Sequence, residues 1–97
     1  MHKQEALRLL EAHKQEIVRQ FGIKHLAVFG STARDEARDG SDVDVLVEFE
    51  GPATFDNFMG LQAYLENLLG AGIDLTTPSA IRPRMRSAIE KDLVYVA

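Results

Sequence analysis

From Ala6 to Phe21, apolar side chains recur at helical spacing (Ala6, Leu7, Leu10, Ile17, Val18, Phe21), with Lys, Gln and Glu between them. This predicts one amphipathic helix over residues 3 to about 20, stopped by Gly22. A short apolar strand follows over 24 to 29 and breaks at Gly30-Ser31. Thr32 to Arg38 reads as a brief polar helix, and Gly40-Ser41 as a turn. From Asp42 to Phe49 the pattern switches to strict alternation, the signature of a strand with two unlike faces. After the loop Glu50-Gly51-Pro52-Ala53, Thr54 is suited to cap a helix over 55 to 69. Phe58, Leu61, Leu65 and Leu68 form the apolar stripe of that helix, widened by Met59 and Leu69. Gly70 and Gly72 end it, and a third strand spans about 72 to 76. Pro78 and Pro83 bracket a turn, with Pro83 placed to open a helix reaching about Glu90. Ile81, Met85 and Ile89 are expected on the buried side of that helix. Leu93-Val94-Tyr95-Val96 is short and β-prone, either an added strand or a docking segment.

The order α-β-α-β-α-β-α implies an α+β fold: a small mixed sheet of three or four strands, backed by helices. Its 97 residues are enough for one modest core and too few for a second, so residues 1–97 are expected to form a single domain. An apolar fraction of 45% argues against disorder. The absence of cysteine excludes disulfides and thiolate metal sites. No apolar run approaches the ~20 residues of a membrane span, and Met1-His2-Lys3-Gln4-Glu5 is unlike a signal peptide. Cytoplasmic localisation is the default expectation. A formal net charge of −4 argues against broad, salt-driven binding to nucleic acid. It leaves nucleotides open, because a bound cation can offset their charge locally.

The chemistry concentrates between Val28 and Phe49. On the alternating strand, Asp42 and Asp44 project together, while Val43, Val45, Val47 and Phe49 line the other face. Adjacent carboxylates on a rigid strand repel, and a hard divalent cation such as Mg²⁺ would offset that cost. Upstream, Gly30 lets the backbone approach a ligand closely. Ser31 and Thr32 open a helix whose free N–H groups suit a phosphate, and Arg34 could reach the same anion as a fork of donors. Asp74 alternates with Ile73 and Leu75, so it joins the Asp42/Asp44 face if the third strand pairs beside the second. Plainer readings exist for each residue. Gly-Ser-Asp is ordinary turn chemistry, Ser31 could serve only as a cap, and Arg34 could be a solvated helix residue. Arg82, Arg84 and Arg86 read as a solvated basic face, and His2, His13 and His25 lack ligand spacing.

Taken in order, Gly30-Ser31, Arg34, Ser41-Asp42-Val43-Asp44 and the apolar-flanked Asp74 resemble the signature of the DNA polymerase beta-like nucleotidyltransferase superfamily. At this length the chain is most similar to its minimal nucleotidyltransferase (MNT) branch. That family often carries Gly after the arginine, where this chain has Asp35. The resemblance implies AMP transfer from ATP to a hydroxyl acceptor. Asp42, Asp44 and Asp74 would hold two Mg²⁺ ions, with Asp74 also assisting deprotonation of the acceptor. Gly30, Ser31 and Arg34 would bind the nucleotide. It further implies an antitoxin role, in which AMP is attached to a tyrosine of an all-helical HEPN ribonuclease toxin. Pairing with a second copy stays open at this size. Two alternatives remain at this level: a vestigial site in an antitoxin that neutralises its partner by contact alone, and a metal-dependent phosphodiesterase using the same aspartates.

Overall fold

A computed structural model describes all residues from Met1 to Ala97. The elements are α1 (Lys3–Ala12), α2 (Lys14–Phe21), β1 (Ile23–Phe29), α3 (Gly30–Ala33), β2 (Val43–Phe49), α4 (Phe55–Leu69), β3 (Ile73–Thr76), a 3₁₀ turn (Pro78–Ala80), α5 (Pro83–Asp92) and β4 (Val94–Tyr95). The four strands make one mixed sheet in the order β3-β2-β1-β4. The tight connection through α3 leaves β1 and β2 antiparallel, with Val28 opposite Val45 and Leu26 opposite Val47. A parallel neighbour needs a long crossover. The α4 helix supplies it, and β3 runs parallel to β2 with Val43 opposite Ile73. The β-prone tail becomes a strand, antiparallel to β1 at the far edge.

The alternation along β2 decides the layering. Val43, Val45 and Val47 are fully buried with Leu26 and Val28 of β1, under Leu10, Ile17, Leu61 and Leu65 of the helices. This face of the sheet forms the core. Asp44, Leu46 and Glu48 point the other way, toward the side covered by α5 and the 3₁₀ turn. Thr54 Oγ1 accepts the Asn57 N–H at 3.1 Å, and Gly70 ends α4 in the left-handed region (φ +64°), giving the helix the bounds its pattern predicts.

Three expectations change. The N-terminal helix is not continuous. At His13 the ring Nδ1–H donates to the Leu9 carbonyl at 2.9 Å, the oxygen that the residue's own amide would take in an unbroken helix. That amide turns to Leu10 O instead (3.2 Å), and the chain bends into α2. Thr32 to Arg38 is not a helix either: a single turn starts earlier, at Gly30, and ends at Arg34. Finally, Ile81, Met85 and Ile89 are not buried. Ile81 and Ile89 are half-buried and Met85 is 49% exposed, because α5 covers its side of the sheet without a further layer outside it.

Candidate active site

β1 ends at Phe29, whose backbone is still extended. Gly30 then takes φ +70°, which glycine adopts without a Cβ penalty, and turns the chain into α3. Arg34 N–H closes the turn on Gly30 O at 3.1 Å. Asp35 follows at φ +58°, in the left-handed region that Asp tolerates better than most side chains. The family's frequent glycine at this position therefore answers a conformational need, and Asp35 meets it with a side chain. That side chain also accepts the Lys3 N–H at 3.1 Å, tying the turn to the start of α1. Ser31 lies inside the turn and is not its cap, since Phe29 holds that position and no side chain caps α3. Thr32 is buried, and its hydroxyl finds no protein partner.

Across the sheet, Phe29 pairs with Asp44, and Asp44 pairs with Asp74 on β3. Residues directly opposite on neighbouring strands share a face. The parallel pairing thus brings Asp74 beside Asp44, the arrangement on which its membership of the acidic face depended. Burial, reinforced by Asp74 and then by Asp42, raises the Asp44 carboxyl above the usual carboxylate range, and Arg34 opposes the shift. Asp44 is half-buried, whereas Asp42 and Asp74 are exposed. Asp42 precedes β2, and its carboxylate rests against Gly72. The three acids do not close into a cage, for no group of three or more potential ligands is gathered tightly enough to be one. The donor set nonetheless fits a hard cation. It is all carboxylate oxygen, and one member, Asp44, is held toward its protonated form by burial and then by neighbouring negative charge, which such an ion would offset.

Gly30 has a second reason to lack a side chain. A Cβ there would overlap Asp44 Oδ2 and lie 3.0 Å from Asp44 Cγ. Arg34, expected to face a phosphate, is engaged by two carboxylates. Its Nη1 donates to Asp92 Oδ2 at 2.5 Å and its Nε to Glu36 Oε1 at 2.9 Å, which together raise its pKa. Asp92, at the end of α5, and Glu36 carry no motif, so only the fold reveals them beside Arg34. Arg82, Arg84 and Arg86 are exposed and form no ion pair, as a solvated face would. His13 is spent on the helix bend and His25 Nδ1 lies 3.3 Å from the Ala97 carbonyl, so neither enters the site. Beyond Asp74 a groove of about 350 Å³ runs between the sheet and α5, lined by Phe29, Ile81, Met85 and Ile89 with Arg82 and Arg84 at its rim.

A strand ending in Gly-Ser, one helical turn, and acids on two parallel strands form the framework of a nucleotidyl-transferring enzyme. The model of the nucleotidyltransferase domain family matches residues 10–96. The chain belongs to that family, and within it to the minimal nucleotidyltransferases. Over 88 residues it is 41% identical to the protein adenylyltransferase MntA of Thermococcus cleftensis, covering 91% of this chain and 89% of that one. A solved structure assigned as a minimal nucleotidyltransferase superposes with a TM-score of 0.80 at 33% identity, over 97% of this chain and 95% of the other. The fold recurs in the complex of tri-AMPylated Shewanella oneidensis HEPN toxin with MNT antitoxin, with a TM-score of 0.67 at 15% identity, over 94% of this chain and 71% of the matched one. No helix is long and apolar enough to cross a membrane.

Proposed function

We propose that residues 1–97 act as one Mg²⁺-dependent adenylyltransferase domain in the cytoplasm. It would transfer AMP from ATP to a tyrosine hydroxyl of a HEPN-type toxin and so serve as that toxin's antitoxin. The observation that carries the reading is the cross-strand pairing of Asp44 with Asp74, one strand away from the Gly30-Ser31 turn. The 41% identity to an adenylyltransferase, and the fold shared with a chain from a complex with an AMPylated HEPN toxin, support the donor and the acceptor respectively.

Asp42, Asp44 and Asp74 would hold two Mg²⁺ ions, which supply charge neutralisation at the triphosphate and a more acidic acceptor hydroxyl. Ser31 Oγ and the N–H groups around the Gly30 turn donate to phosphate oxygens. Arg34 joins them by exchanging Asp92 or Glu36 for a phosphate, retaining charge-assisted bonds throughout. The acceptor oxygen attacks the α-phosphorus, the bond from that phosphorus to the bridging oxygen breaks, and pyrophosphate leaves. Asp74, on the exposed edge strand, takes the hydroxyl proton. Positioning and charge account for most of the rate.

The test is the intact mass of a HEPN partner incubated with ATP and each variant. Wild type is expected to add the mass of one or more AMP units, and Asp74→Asn none, while Asp74→Asn still binds Mg-ATP and the partner. Neutralisation of the toxin by both proteins with no mass change in either would replace the enzyme reading with inhibition by contact.

A further inference from the structure

Asp42 stands outside β2 and is exposed, so neither strand pairing nor burial sets the direction of its side chain. The start of β3 does. Gly72 O accepts the Val43 N–H at 2.8 Å, which fixes the Gly72 main chain beside the residue that follows Asp42. A Cβ on Gly72 would overlap Asp42 Oδ1 and lie 3.2 Å from Asp42 Cγ, so the carboxylate occupies the space a side chain would fill. Backbone freedom is not the reason for glycine here. Gly22, Gly30, Gly40 and Gly70 have positive φ, and Gly72 does not.

We propose that Gly72 is a positioning residue for Asp42: its missing side chain is the seat that aims the Asp42 carboxylate alongside Asp44 and Asp74. Any side chain at position 72 pushes that carboxylate outward while leaving the strand pairing, and hence Asp44 and Asp74, in place. The inference rests on the reading that these aspartates bind a divalent cation, and it names the part of the chain that keeps the third one in line.

Gly72→Ala tests it, because alanine suits the ordinary backbone there and adds only the Cβ. Gly51→Ala is the control, since a Cβ at Gly51 meets nothing within 4 Å and its φ is not positive. Mn²⁺ binding, followed by the loss of the free-ion electron paramagnetic resonance signal, is measured for wild type, Gly51→Ala, Gly72→Ala, Asp42→Asn and Gly72→Ala/Asp42→Asn. Gly72→Ala is expected to weaken Mn²⁺ binding about tenfold, in the range seen when a group supporting a metal ligand is altered. Gly51→Ala should bind as wild type, and Gly72→Ala should add nothing once Asp42 is already Asn. If Asp42→Asn weakens Mn²⁺ binding and Gly72→Ala does not, the seat is refuted while the metal site stands. If wild type itself fails to bind Mn²⁺, the metal reading falls and the inference falls with it. Should Gly72→Ala unfold, Gly72→Ala/Asp42→Ala must restore the wild-type melting temperature, because the crowding partner is then gone. A double variant that stays unfolded would show that the added carbon collides with something else.

Discussion

Gly30 combines two constraints that substitution elsewhere can separate. Alanine at φ +70° incurs roughly 1–2 kcal/mol of left-handed strain, partly offset by about 0.4–1 kcal/mol of conformational freedom removed from the unfolded chain. The net loss is about 1 kcal/mol, or roughly 4–8 °C in melting temperature for a domain of this size. The same cost applies to Gly40→Ala, where φ is +85° but a Cβ meets open space. Only at Gly30 does the new carbon also overlap Asp44 Oδ2 and approach Asp44 Cγ at 3.0 Å, so the carboxylate must swing away from Asp74. Thermal melts with and without Mg-ATP distinguish the two effects. Both variants should melt several degrees low without ligand. Mg-ATP should raise the melting temperatures of wild type and Gly40→Ala alike, because a ligand that binds only the folded state stabilises it by mass action. Gly30→Ala should show little of that rise. An equal Mg-ATP shift in the two variants would refute the claim that the space at Gly30 is reserved for the Asp44 carboxylate.

Two further outcomes follow from the geometry. Burial and its acidic neighbours raise the Asp44 carboxyl above its ordinary value of 3.8. Keeping it ionised in the folded, metal-free protein therefore costs stability above the raised pKa, and the cost vanishes as pH falls to the ordinary value. Asp44→Asn should accordingly be the more stable protein near neutral pH in chelator, with the difference shrinking on acidification. Urea melts across that range check this, and a gap that stays constant with pH would contradict it. At the other end of β2, Thr54→Ala removes the oxygen that caps α4 and should cost about 1 kcal/mol in the same urea assay. No measurable loss would mean that the Asn57 N–H is equally well served by solvent.

Much of this arrangement was legible in the chain because local chemistry and global fold agree. The bounds of α4 follow from Thr54, its stripe and Gly70. The valines of β2 mark its buried face, and the alternation of Asp74 with Ile73 and Leu75 puts the acid on the opposite one. Pattern alone says nothing of competition for one carbonyl, so the His13 ring that breaks the first helix is invisible to it. Nor could polar composition show that Asp35 takes a left-handed turn and ends α3 early. The apolar residues of α5 read as buried because periodicity reports an apolar side without reporting what covers it. Arg34 looked free for an anion because Asp92 lies far along the chain, and Gly72 looked like a helix terminator because its neighbour Asp42 is distant in sequence, just ahead of β2.

The strand order gives Asp74 a second consequence. β3 is an outermost strand, four residues long, and one of its carbonyls, Ile73 O, is already taken by Gln62 Nε2 of α4 at 2.6 Å. Open edges invite pairing with other chains, and proteins discourage it with short strands and charged residues. Asp74 is the only charge on this one. The acid proposed to take the acceptor's proton is thus also the charge that guards this edge, and neutralising it leaves the strand only its brevity. Where a concentrated sample of a variant of the acidic face is needed, Asp44→Asn is the sounder choice, because it alters an inner strand and leaves the edge charged.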